Sequence, residues 1–191
     1  KTTCARILAR KINQQGYDDP NEDFTFNVFE LDAASNNSVD DIRSLIDQVR
    51  IPPQTGKYKV YIIDEVHMLS TGAFNALLKT LEEPPEHVLF ILATTEVQKL
   101  PATILSRCQR FDFKNITSHE IADAVGAILE KENITASRDA VEYIAYLGNG
   151  SMRDALSITE QCLAYKNNDI TYADVVDILG TLDDELDRKS V

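Results

Sequence analysis

The chain has 191 residues, with 19 lysines and arginines against 31 aspartates and glutamates, giving a formal net charge of −12 and a pI near 4.6. That balance excludes a free-standing nucleic-acid binder, because neutralising phosphates takes clustered Lys and Arg; any contact with DNA must be local or borrowed from partners. A 43% hydrophobic, 26% charged composition suits an ordinary globular protein with one substantial domain and a small one, and no apolar run reaches membrane-spanning length.

Lys1 to about Asn13 sets Ile7, Leu8 and Ile12 among Ala5 and Ala9 and predicts a helix, ended by the polar loop around Gly16, Asp18, Asp19, Pro20 and Asn21. The chain begins at Lys1-Thr2-Thr3 as though inside a motif, and nothing there resembles a signal peptide. Phe24 to Asp32 carries Phe24, Phe26, Val28, Phe29 and Leu31 and predicts a strand ending in an acid. Ser38, with Asp41 three residues on, predicts a capped helix whose Val39, Ile42, Leu45, Ile46 and Val49 share a face, stopped by Pro52 and Pro53.

Val60 to His67 is an apolar, β-branched run of the kind buried on both faces of a parallel sheet, and it ends in Asp64-Glu65. Ser70 predicts the cap of a helix running to about Glu83, before Pro84-Pro85. Val88 to Ala93 predicts a third buried strand reaching Thr94-Thr95; Pro101 to Ser106 predicts a short helix and Arg110 to Phe113 a last short strand. Strands alternating with helices imply parallel pairing with crossover helices, and such a sheet binds ligands at the carboxyl ends of its strands.

From Thr117 onward the pattern is helices without strands, opened by Ser118, Ser137, Ser151 and Thr171. The expected organisation is an α/β domain over 1–115, a helical domain over 116–180 and the start of a further region over 181–191. Cys4, Cys108 and Cys162 are odd in number and widely spaced; they read as reduced, buried thiols of a cytoplasmic protein.

The chemistry gathers at two places. Two adjacent carboxylates at a strand end suit a magnesium nucleotide: Asp64 holds the metal and Glu65 orients or deprotonates the attacking water, unless the pair is simply a surface acidic pair. Lys1-Thr2 at the start of a helix matches the last two positions of the phosphate-binding loop, where Lys reaches phosphates and the hydroxyl holds magnesium. His67 reads as a packing residue at the strand end.

The words Lys1-Thr2-Thr3, Glu30-Leu31-Asp32-Ala33-Ala34-Ser35-Asn36, Tyr61 to Leu69, Leu78 to Pro85, Leu92-Ala93-Thr94-Thr95, Leu105-Ser106-Arg107-Cys108 and Gly150 to Leu156 run in order along nearly the whole chain. Together they resemble the ATPase subunits of bacterial DNA polymerase III clamp loaders, within the AAA+ family. The resemblance implies a parallel-sheet P-loop ATPase domain followed by a small helical lid. It implies ATP and Mg2+ held by Lys1, Thr2, Thr3 and Asp64, with Glu65 as base and Thr95, rather than Thr94, as the first sensor. Arg107 resembles the finger that reaches a neighbouring subunit's nucleotide, and Arg153 the second sensor carried by the lid. Implied partners are other clamp-loader subunits in a hetero-oligomer, the sliding clamp and primer-template DNA, with no membrane. Family members often carry a four-cysteine zinc module, but Lys11 to Asp23 has no cysteine, so no zinc is expected. A non-hydrolysing structural subunit and a D-E-x-H helicase fragment are the alternatives; the helicase would need a second motor domain.

Overall fold

The computed structural model describes residues 1–14, 25–165 and 169–178, and divides into two compact units, Lys1–Asp112 and Phe113–Val191. In the first unit, α1 (Thr2–Gln14), β1 (Val28–Asp32), α2 (Val39–Val49), β2 (Lys59–Asp64), α3 (Thr71–Glu82), β3 (Val88–Leu92) and α4 (Ala102–Leu105) follow one another in the expected alternation. The sheet is fully parallel in the order β1-β2-β3. β2 is the middle strand, and Val60 to Ile63 are at most 1% exposed. A strand paired on both edges and covered on both faces has no use for alternation, which is why its sequence is a continuous apolar run.

One face of β2 packs Val60 and Ile62 against Ala5 and Ala9 of α1. Small residues at a spacing of four let the helix lie close, and the stripe continues into Asn13, which is fully buried. Asn13 donates to the Ala9 carbonyl and accepts the Lys57 and Tyr58 N–H groups at 3.2 and 2.9 Å, so α1 fixes the entry to β2. The larger residues of α1 lie outside this contact, Ile7 being 53% and Leu8 48% exposed. Cys4 is also exposed, which corrects its reading as a buried thiol; Cys108 is half-buried and Cys162 buried, and burial raises both thiols above their ordinary range.

On the other face, Ile63, Val66, Ala73, Phe74, Leu77 and Ile104 form the main core with Ala33 and Ile42. Tyr61 lies between its register partners Phe29 and Phe90, with ring centroids 4.9 and 5.6 Å away. Ser38 and Asp41 form a complete capping box at α2, and Ser70 caps α3 through the Ala73 N–H.

Three sequence expectations in this unit need correction. The first strand starts at Val28: Thr25–Asn27 is a 3-10 turn with Phe26 83% exposed, and Phe24 lies outside the described residues. The β2 strand stops at Asp64, with Val66–Met68 forming a 3-10 turn. Residues 110–113 form no strand; Phe111 and Phe113 are 68% and 59% exposed, and aromatic residues without a neighbouring ladder do not make a strand.

The second unit comprises α5 (Ser118–Lys131), β4 (Thr135–Ala136), α6 (Arg138–Leu147), α7 (Met152–Tyr165), β5 (Asp169–Ile170) and a final helix over 172–178. Its helices share a core of Ile121, Val125, Leu129, Ile144, Ala155 and Ile170. The absence of strands expected here is corrected by the short parallel pairing of β4 with β5, too brief to leave a sequence pattern. Thr117 rather than Ser118 caps α5, in a capping box with Glu120. Ile128 and Val176 are 41% and 40% exposed. Before α7 the chain turns at Gly150, with φ +81°, where an added Cβ would lie 2.7 Å from Asn115 Cβ. Glycine is therefore required there both for its conformation and for close approach.

Candidate active site

The carboxyl end of β2 and the start of α1 meet at one point. Thr2 Oγ1 donates to Asp64 Oδ2 at 2.5 Å, while Asp64 Oδ1 accepts the Glu65 N–H at 3.0 Å. Lys1 Nζ donates to the Thr94 carbonyl, beyond the end of β3, at 2.8 Å. Thr3, the next residue of α1, is exposed. The structure thus brings Lys1, Thr2, Asp64, Glu65 and Thr95 to one edge of the sheet, from three separate stretches of chain.

Glu65 adopts φ 46° and ψ 43°, a left-handed conformation that costs a non-glycine residue about 1 kcal/mol or more. The strand ends there because that conformation cannot continue a ladder. Successive strand residues point to opposite faces. Breaking the strand at Glu65 lets both neighbouring carboxylates serve the same end of the sheet. The Glu65 carboxylate is itself held: Thr95 N–H and Oγ1 both donate to Oε2, at 3.3 and 3.0 Å.

His67 is the residue that sequence reasoning undervalued. Its side chain is 9% exposed, yet its contacts are polar rather than packing alone. Nδ1 lies 3.0 Å from Thr94 Oγ1 and 3.3 Å from Glu65 Oε2, and Nε2 lies 3.6 Å from Glu96 Oε2. Glu96 is paired with Lys99, whose hydrogen bond is the main cause holding its carboxyl below the usual range. Thr94 accepts the Glu96 N–H at 3.0 Å, so the two threonines at the end of β3 divide their work: Thr94 serves His67 and the turn, and Thr95 serves Glu65.

Arg107 lies elsewhere in the first unit, and Arg153 belongs to the second. Arg107, just past α4, donates to Glu82 Oε1 and to the Thr103 carbonyl, both at 2.8 Å. It takes no part in the hydrogen bonds around Asp64 and Glu65. Arg153 is exposed in the first turn of α7 and makes no hydrogen bond or ion pair among the described residues. A further tie that the sequence did not disclose is the two-pronged Arg6–Glu30 pair between α1 and β1, at 2.5 and 2.6 Å.

Among the described residues no group of three or more His, Cys, Asp or Glu side chains could hold a metal ion. The Thr2–Asp64 pair is a hydroxyl and one carboxylate, hard oxygen donors that fit Mg2+, an ion that takes few protein ligands and fills its shell with water and phosphate. Of the stretch Lys11 to Asp23, on which the expectation of no zinc rests, residues 15–23 lie outside the described residues.

The family model described as DNA polymerase III, delta subunit matches residues 3–117, and the model for the DNA polymerase III clamp loader subunit, ATPase lid domain matches residues 120–168. The chain belongs to the clamp-loader subunit family of DNA polymerase III. DNA polymerase III subunit tau of Bacillus subtilis is 47% identical, over 95% of this chain and 34% of its own length. The tau subunit of Escherichia coli is 45% identical, over 97% and 31%, and a gamma subunit of Buchnera aphidicola is 45% identical, over 95% and 52%. The chain therefore spans about a third of the tau relatives it matches. Among solved structures, RuvB, the Holliday junction branch migration motor of Thermotoga maritima, superposes with TM-score 0.73 at 19% identity, over 95% of this chain and 57% of that one. A gamma-subunit-related protein of the same organism superposes with TM-score 0.54 at 22% identity, over 84% and 53%. These likenesses establish the fold of the clamp-loader chain, an AAA+ P-loop ATPase domain followed by a helical lid.

Proposed function

We propose that this chain is the ATPase subunit of a bacterial replicative clamp loader. It uses ATP binding and hydrolysis to load the sliding clamp onto primed DNA, as a cytoplasmic, non-polymerising component of the DNA polymerase III holoenzyme. The observation that carries this reading is the convergence of Thr2 on Asp64, beside a Glu65 carboxylate already oriented by Thr95. Thr2 and Asp64 would hold Mg2+, which when bound neutralises charge on the phosphates. Lys1 exchanges the Thr94 carbonyl for phosphate oxygens, with Thr3 next to it on α1, and Glu65 accepts the proton of the attacking water.

Arg107 acts in trans on the nucleotide of a neighbouring subunit, exchanging Glu82 for phosphate, so that hydrolysis depends on assembly. Arg153 serves as the second sensor. The domain limits proposed with this reading are 1–115 and 116–180, with a further region from 181. Partners are the other loader subunits, the clamp and primer-template DNA, which the strongly acidic chain meets through a local basic surface of the assembly. Glu65→Gln, made in the full-length chain and assembled with its partner subunits, should keep ATP bound while hydrolysis falls about 10²- to 10⁴-fold. Full turnover would remove Glu65 as base.

The delta-subunit description of the model matching residues 3–117 favours a second reading, a structural subunit that assembles without hydrolysing. On that reading Glu65→Gln leaves the hydrolysis of the assembled loader unchanged.

A further inference from the structure

The Glu65 carboxylate is anchored asymmetrically. Oε2 receives both donors of Thr95 and stands 3.3 Å from His67 Nδ1, whereas Oε1 has no hydrogen-bond partner among the described residues. A carboxylate held by one oxygen presents the other in a fixed direction, which a proton acceptor for a bound water requires. Thr95 grips Oε2 from the end of β3. The second grip comes from His67, on the chain leaving β2.

The frame carrying His67 is rigid. Val66 is fully buried and its N–H donates to the Ala93 carbonyl at 3.0 Å, the Met68 N–H closes onto the Glu65 carbonyl at 2.8 Å, and the Leu69 N–H onto the Val66 carbonyl at 3.2 Å. The left-handed Glu65 and the turn Val66–Met68 fold the imidazole back over the carboxylate two residues before it. Both ring edges then meet oxygen atoms: Thr94 Oγ1 and Glu65 Oε2 on one side, Glu96 Oε2 on the other. Of the two ring nitrogens, Nδ1 has its hydrogen-bond partner in Thr94 Oγ1, whereas Nε2 stands 3.6 Å from Glu96 Oε2, beyond hydrogen-bond distance.

We propose that His67 is a positioning residue for Glu65, linking it to Thr94 so that Oε1 is the oxygen left to take the proton of the attacking water. This rests on the reading of Glu65 as base. Without the ring, Thr95 is the remaining grip, and the carboxylate can swing about its last torsion.

The test uses the full-length chain assembled with its partner loader subunits, with ATP as probe, measuring single-turnover hydrolysis, ATP affinity and Tm. His67→Leu, of similar bulk but with no polar edge, should lower the hydrolysis rate about tenfold to a hundredfold, with ATP affinity within about twofold of wild type. His67→Asn, whose amide can reach the place of Nδ1, should recover most of the rate. Wild-type hydrolysis in His67→Leu would overturn the proposal. So would parallel losses of rate, ATP affinity and Tm in both variants, which a merely structural histidine gives. Glu65→Gln run alongside separates the two ideas: if it hydrolyses normally, the reading of Glu65 fails; if it is inactive while His67→Leu is normal, the role of His67 alone fails.

Discussion

Asp32 and Asp64 are register partners at the carboxyl ends of neighbouring parallel strands, and from sequence the two strand ends look alike. Their side chains have opposite occupations. Asp32 is spent on its own turn, accepting the Ala34 N–H at 3.0 Å and the Ser35 hydroxyl at 2.8 Å. Asp64 receives a hydroxyl from sixty-two residues away, Thr2. Of the two acids, the one satisfied locally is a turn residue, and the one to which another element brings a hydroxyl is the candidate for the site.

The sharpest way to break this comparison is to remove one charge at a time. On the proposed reading, in which Asp64 is a magnesium ligand of an ATP-hydrolysing loader, Asp64→Asn should cost about a hundredfold or more in hydrolysis by the assembly, since several kcal/mol of charge stabilisation at the phosphates go with that ligand. Asp32→Asn should leave hydrolysis within about twofold and lower Tm only slightly. Equal losses of activity in steady-state assays of the two variants would erase the distinction.

A second test asks whether β2 is special because α1 holds it at both ends, through Asn13 at its entry and Thr2 at its exit. Asn13→Ala removes the buried acceptor of the part-buried Lys57 and Tyr58 N–H groups and should cost about 1–3 kcal/mol by urea denaturation. It should also slow hydrolysis, because Asp64 then shifts against Thr2. A variant that loses stability with unchanged turnover would show that the two ends are independent.

The pH dependence of stability sharpens the same contrast. The carboxyls of Asp32 and Asp41 lie below the usual range, chiefly through the Ser35 and Ser38 side-chain hydrogen bonds. Because folding depresses their pKa values, the stability they add is complete above about pH 4, the unfolded carboxylate value, and is lost as pH falls through the lower folded values. Urea midpoints should decline from pH 5 toward pH 2.5, and the double variant Asp32→Asn, Asp41→Asn should flatten that decline.

The smallest effect belongs to the pair in the middle of the sheet. Tyr61 is fully buried between Phe29 and Phe90, and its hydroxyl has no partner among the described residues. Tyr61→Phe should be neutral or stabilising by up to about 1 kcal/mol, as removal of an unsatisfied buried group predicts. A clear destabilisation would mean that β2 carries a polar contact that β1, with Phe29, does not.

Much of this was legible because the relevant signals are local. The continuous apolar run of Val60 to Ile63 announced a central parallel strand, and Ser38, Ser70 and Ser137 announced helix starts through caps that act within three residues. The limits of the first strand were misjudged because Phe26 fits the β pattern but has nothing to pack against. The run through His67 looked unbroken because no propensity encodes a left-handed glutamate.

By itself the sequence determined the alternation of helices with the first three strands and the types of residue at those strands' ends, since those follow from periodicity and capping over a few positions. Only the tertiary structure decided that Asp64 rather than Asp32 meets Thr2, that Asn13 fastens β2 to α1, and that His67 reaches Glu65, Thr94 and Glu96. Those choices depend on which distant segments pack side by side, and hydrogen bonds between them are set by the fold rather than by spacing along the chain.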